Sequence, residues 1–206
     1  MPTVCRFYDD YADGNRVILS LDIEGGPVSD ASLVSNNCDA WYIGAVASNL
    51  VPLRKHSETT VAGPSIKDAS AGAGGGATVG TAARLITMLV VPGIGPVVGV
   101  GWLAAILGGM AAGGVTGGLL SALTNAGINE EGAHVLVEGV RRGGTLVAAR
   151  AAQEDVPRIE PLMNCRAVNL EERSEIYRKA GWLAFDPKAP PYTADQVRCE
   201  RALHGR

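Results

Sequence analysis

The chain has 206 residues, 18 basic and 21 acidic side chains and a net charge of −3; aromatics make up 5% of it, whereas glycine alone supplies 27 positions. No Lys/Arg stripe with interleaved aromatics is present, which excludes the usual footprint of a nucleic-acid binder. Cys5, Cys38, Cys165 and Cys199 are scattered without a CxxC pair, which excludes a zinc knuckle or a dense disulfide scaffold and points to reduced thiols in the cytoplasm.

In chain order, Thr3-Val4-Cys5-Arg6-Phe7-Tyr8 reads as a strand-like run, and no basic, apolar and small-residue sequence of a cleaved leader is expected there. Asp9-Asp10 can cap a helix with Tyr11, Gly14, Ile18, Leu21 and Gly25 facing inward, and Gly25-Gly26-Pro27 stops it. Ala31-Ser32-Leu33-Val34-Ser35 reads as a second strand, so residues 3–35 form one β-α-β half. Residues 36–70 mix Asn36-Asn37, Trp41-Tyr42, Pro52, Arg54-Lys55-His56 and Gly63-Pro64 without sustained period, as strand fragments and linker do.

At about residue 71 the composition changes to Gly and Ala, and Arg84 is the one charge in the apolar stretch before Glu130. Pro92-Gly93-Ile94-Gly95-Pro96 breaks this stretch, so residues 71–128 are expected to form an apolar helical hairpin with its turn at Pro92, Gly93, Gly95 and Pro96 and its second helix from Trp102 to Asn125. On that helix Gly109, Gly113 and Gly117 are spaced by four, with Gly114 and Gly118 in a shorter parallel row. Small residues at this spacing make a flat groove that another helix can approach closely. Leu85 to Val91 rise only about 10 Å, far short of a ~30 Å hydrocarbon core. The hairpin is therefore expected to dip into one leaflet, with Arg84 and Trp102 at the membrane interface, or to be buried between subunits.

Residues 129–170 read as a second half. Asn129 caps a helix opened by Glu130-Glu131 and closed by Arg141-Arg142 and Gly143-Gly144; Thr145-Leu146-Val147-Ala148-Ala149 is a third strand, 153–164 a short helix, and Ala167-Val168-Asn169-Leu170 a fourth strand. With 1–70 as first half plus linker, 71–128 as insert, 129–170 as second half and 171–206 as a charged tail, the expected fold is α+β: ferredoxin-like split β-α-β halves carrying a glycine-rich apolar hairpin. In the tail, Glu171 to Lys179 reads as a helix, and the box Thr193 and Gln196 starts another.

Little in this pattern suggests catalysis. Gly72-Ala73-Gly74-Gly75-Gly76-Ala77 and Gly99-Val100-Gly101-Trp102-Leu103-Ala104 echo a dinucleotide fingerprint without the acid that a ribose needs about 20 residues on. His56, His134 and His204 form no ligand cluster, and His134 reads as a helix-surface side chain. No enzyme, cofactor or metal is expected. Pro92-Gly93-Ile94-Gly95-Pro96, the Gly/Ala-rich segment behind it, Gly127-Ile128-Asn129-Glu130-Glu131, Gly139-Val140-Arg141-Arg142-Gly143-Gly144, Gly181-Trp182 and Ala189-Pro190-Pro191-Tyr192-Thr193 together resemble a bacterial family of general stress or low-temperature-induced proteins. That resemblance implies a stress-type protein with no established active site, substrate or cofactor. The expected function is homo-oligomerisation through the glycine rows, in or on a membrane at the inner face of the cell membrane. The alternative is a soluble structural assembly whose dry interior the hairpins form.

Overall fold

The computed structural model of the protein describes residues 1–23, 28–42, 87–113 and 118–204. Among them, β1 (Thr3–Tyr8), β2 (Val28–Asn36), β3 (Thr87–Val91), β4 (Gly95–Val100) and β5 (Thr145–Ala151) form one antiparallel sheet in the order β1-β5-β2-β4-β3. β1 and β2 run parallel to each other on either side of β5, and β4 and β5 do the same around β2. Both are split β-α-β arrangements, so the expected α+β class holds and the two halves share one sheet. In place of a four-stranded sandwich with helices on one side, the sheet has a fifth strand and helices on both faces.

Strand alternation divides the core accordingly. Val4, Tyr8, Leu33, Val147 and Ala149 point to the face covered by α1 (Tyr11–Ile23) and α5 (Val156–Asn164). Cys5, Phe7, Val34, Val97, Leu146 and Ala148 point to the face covered by α2 (Trp102–Gly113), α3 (Gly118–Asn125) and α4 (Glu130–Arg141). α6 (Leu170–Lys179) packs on α4, and α7 (Ala194–His204) closes the described chain.

Local chemistry explains the boundaries that were expected. The Asp10 carboxylate accepts the Asp13 N–H at 2.8 Å to start α1. Gly14 lets that helix lie against β5, because a Cβ there would sit 2.7 Å from Thr145 Cγ2. The Asn129 side chain caps α4 through the Gly132 N–H at 3.2 Å, and Gly143 ends it at φ +115°. Thr193 and Gln196 make the reciprocal capping box of α7, at 2.9 and 3.3 Å.

The insert departs from expectation. Its first apolar run and its Pro/Gly break form a β-hairpin: Pro92 and Gly93 (φ +76°) occupy a turn closed by the Ile94 N–H to Val91 carbonyl bond of 3.1 Å, where a proline followed by a positive-φ glycine is favoured. Pro92, Gly93, Gly95 and Pro96 therefore turn two strands, not two helices. Of the helix expected from Trp102 to Asn125, the described parts are α2, to Gly113, and α3, which begins at Gly118 with φ +39°; residues 114–117 lie outside the described residues. The fourth strand expected over 167–170 is also absent. Asn169 accepts the N–H groups of Glu171 and Glu172 and starts α6, leaving only the Val168 N–H bonded to the Phe7 carbonyl at 2.8 Å.

Candidate functional site

The buried polar chemistry collects at one end of the sheet, where β2 stops, β5 begins and α4 terminates. Ser35, Asn36, Asn37, Thr145, Glu138 and Arg173 are all buried there. Asn36 is the node: its N–H donates to the Gly144 carbonyl (3.3 Å) and its amide to the Arg141 carbonyl (3.2 Å). Its side-chain oxygen accepts the Cys38 N–H (2.8 Å), and its own carbonyl accepts Trp41 Nε1 (2.7 Å) and Arg201 Nη2 (3.2 Å). Asn37 extends the node by donating its N–H to the Pro96 carbonyl at 2.9 Å and pairing its amide with both backbone groups of Tyr42. The Asn36-Asn37 pair, which the sequence places at the start of a linker, is thus an organising point of the sheet end.

Around it lies a charge-matched network. Glu138, 1% exposed in its side chain, accepts Arg142 Nε at 2.8 Å and Arg141 Nη1 at 3.2 Å from the next turn of α4. Arg142 reaches Glu200 of α7 at 3.4 Å and lies over the Tyr177 ring at 4.2 Å. Arg173 of α6 pairs with Asp9 at 2.7 Å, and Arg201 of α7 pairs with Asp39 and donates to the Gly143 carbonyl at 2.9 Å. Burial pushes the Tyr177 hydroxyl up to about 12 against the opposing pull of Arg173 and Arg142. Burial, followed by the nearby Arg173, lowers His204, which sits 3.7 Å from Glu200. The cleft between Asp9, Arg142, Arg173, Tyr177 and His204 is about 10 Å³, room for one water at most. These four arginines and four carboxylates tie α6 and α7 to α4 and the sheet.

No reactive pair emerges from this arrangement. Burial pushes the Cys5 thiol up to about 12, which removes its thiolate at neutral pH. Among the described residues no group of three or more His, Cys, Asp or Glu is placed to hold a metal. Gly99 to Ala104 does run from strand into helix, but the Ala31 carbonyl and Ser32 fill the space beside Gly101, and Ser32 Oγ takes the Leu103 N–H at 3.1 Å, so the helix start is already occupied. His134 is half-buried and accepts the Phe185 N–H at 3.1 Å on Nδ1, unlike a free surface side chain.

Of the residues expected to mediate association, the structure describes Trp102, Gly109, Gly113 and Gly118. Trp102 is buried in the core with the Arg150 guanidinium 3.6 Å above its ring, not placed at an outer rim. Gly109 and Gly113 lie in α2 and Gly118 opens α3. Arg84, Gly114 and Gly117, with Gly72 to Ala77, lie outside the described residues. Leu103, Leu107, Leu119 and Leu123, the bulky flanks of those rows, are buried in this chain's own core. No helix among the described residues is long and apolar enough to cross a membrane.

Exposed apolar side chains include Ile176, Leu183 and Leu203 on the C-terminal part of the chain and a pair at the sheet's edge. In β3, Met88 is 51% and Val90 73% exposed, and the strand Thr87-Met88-Leu89-Val90-Val91 carries no charge. Among the described residues no strand pairs with its outer side. The opposite edge, β1, is differently equipped: Val168 bonds to Phe7, and Arg6 is held by Asn164 at 2.6 Å and Glu160 at 3.5 Å. No family model matches the chain, and no curated protein or solved structure matches it either.

Proposed function

We propose that the protein is a non-catalytic, self-associating protein of the stress-induced type, and that its contact surface is the open edge of β3. The observation that carries this reading is an uncharged edge strand with two large apolar side chains turned to solvent. Edge strands in monomeric proteins are normally blunted by charge, proline, a bulge or a covering loop, because their free N–H and C=O groups recruit other strands. β3 has none of the first three within its span, whereas β1 carries Arg6 and the Val168 contact. Lipid is a poor cover for such a surface, since hydrocarbon cannot satisfy the unpaired backbone groups. A protein strand can, which favours an assembly of subunits over the membrane-dipping hairpin.

The test is native mass across a dilution series for the parent and for Val90→Lys, a change at an exposed position. The parent is expected to exceed 21.3 kDa when concentrated and the variant to remain at 21.3 kDa. A parent that stays at monomer mass throughout refutes self-association, and a variant that assembles like the parent removes β3 as the contact.

A further inference from the structure

The outer side of β3 is self-complementary, and its chemistry specifies how a second copy would sit. β3 pairs with β4 in the register Thr87↔Gly99, Met88↔Val98, Leu89↔Val97, Val90↔Pro96 and Val91↔Gly95. In an antiparallel ladder, residue pairs alternate between those that exchange both backbone hydrogen bonds and those that exchange none. Pro96 has no N–H, so Val90↔Pro96 belongs to the second kind, and by alternation so does Met88↔Val98. The N–H and C=O groups of Met88 and Val90 therefore point away from β4, to the open edge.

We infer that two copies join β3 to β3, antiparallel about a two-fold axis at Leu89, a deepening that rests on the self-association reading above. This register pairs the whole strand with its symmetry mate. It sets Met88 opposite Val90 of the second copy and Val90 opposite its Met88, so every outward backbone group named above finds a partner. The central Leu89 pair is the kind that exchanges no hydrogen bonds, which suits a residue whose own groups face β4. Met88 and Val90 share one face of the strand, so the exposed apolar side chains of the two copies pack across the axis in the same step. With no charge in the strand, the two copies of β3 do not repel each other. The contact is isologous and uses up the edge, and the β1 edge is held by Arg6 and Val168, so the sheet is extended once and the assembly closes as a dimer rather than growing into a fibre.

Cysteine cross-linking reads the register directly. Met88→Cys and Val90→Cys are made separately in a background with the exposed Cys165 and Cys199 changed to Ser, and folding is checked by circular dichroism. Directly opposed residues have Cα atoms about 5.5 Å apart, within disulfide reach, whereas diagonal neighbours lie about 7–8 Å apart, beyond the limit near 7 Å. An equal mixture of the two variants is expected to form the disulfide dimer under mild oxidation, and each variant alone to show loss of that product. Self-linking of either variant as fast as the mixture overturns the register. Absence of cross-linking in a protein whose native mass is a dimer's overturns the β3 contact while leaving self-association standing. A monomer's native mass overturns both.

Discussion

Replacing Glu138 by Gln tests whether the buried carboxylate holds the tail to the sheet. The side chain is 1% exposed and is shared by Arg142 Nε at 2.8 Å and Arg141 Nη1 at 3.2 Å. Glutamine keeps the shape but removes the charge and turns an amide donor toward one of the guanidinium donors. Breaking a buried ion pair by neutralising one partner costs about 3–5 kcal/mol. Here both arginines retain other contacts: Arg142 keeps Glu200 and the Tyr177 ring, and Arg141 donates to the Pro190 carbonyl at 2.9 Å. The lower end, about 3 kcal/mol, is therefore expected. At roughly 2–4 °C per kcal/mol for a chain of this size, the melting temperature should fall by about 6–12 °C. Urea unfolding should show a lower midpoint at unchanged slope. Glu175→Gln is the control, because Glu175 and Lys179 are largely exposed and 3.8 Å apart, and the loss there should stay within about 0.5 kcal/mol. If Glu138→Gln behaves like that control, the network is an exposed ornament and not a brace.

Gly139 faces Phe7 so closely that a Cβ would lie 2.6 Å from the ring carbon Cε2; Gly139→Ala is expected to destabilise by about 1–3 kcal/mol in the same urea assay, and an unchanged midpoint would show that the ring can retreat freely. His204 is lowered in the folded chain from its ordinary 6.5, so the folded state prefers it neutral: stability should be full above pH 6.5 and fall as pH drops through the folded value, whereas His204→Gln should flatten that part of the pH profile.

Much of the sheet was legible because local signals agreed with tertiary need. Asp10, Asn129 and the Thr193–Gln196 box are side-chain caps whose chemistry is complete within a few residues, and the helix boundaries they imply are the ones observed. The strand-like run of Thr3 to Tyr8 is rich in apolar residues because both faces of β1 are used, Cys5 and Phe7 toward α4's side and Val4 and Tyr8 toward α1's. The hairpin was misread because a continuous apolar run fits a fully buried strand as well as a helix. The arbitrating signal was there in Val90-Val91 and Val97-Val98, β-branched pairs on both sides of Pro92-Gly93, with Gly95 and Gly99 unsuited to a helix interior. Asn169 ahead of Glu171-Glu172 was likewise a helix start, not a strand interior. The charge network could have been found from Glu138, a lone acid in the otherwise apolar run Val135 to Val140 with arginines three and four positions on; what no sequence pattern supplied was that Glu200, Arg201 and Asp39 would meet it from more than fifty residues away in either direction.

Several glycines outside the four-residue rows serve packing within the chain. Four-residue glycine rows read as helix-to-helix grooves between copies, yet the glycines whose surroundings are most crowded serve packing within one chain. Beyond Gly14 on β5, a Cβ on Gly99 would sit 2.7 Å from Ala104 Cβ, so β4 and the start of α2 approach through a missing side chain. A Cβ on Gly101 would sit 2.4 Å from the Ala31 carbonyl, which lets the chain turn from β4 into α2 across β2. Small residues at these points seat helices on the sheet at distances that larger ones would block, and the leucines of α2 and α3 then fill the core shared with Val34, Val97, Leu136 and Leu146. Among the described residues that packing takes up Leu103, Leu107, Leu119 and Leu123, and Met88 and Val90 stay outside it. Among the described residues, their strand is a place where the chain has both apolar surface and an unpaired sheet edge to offer a partner.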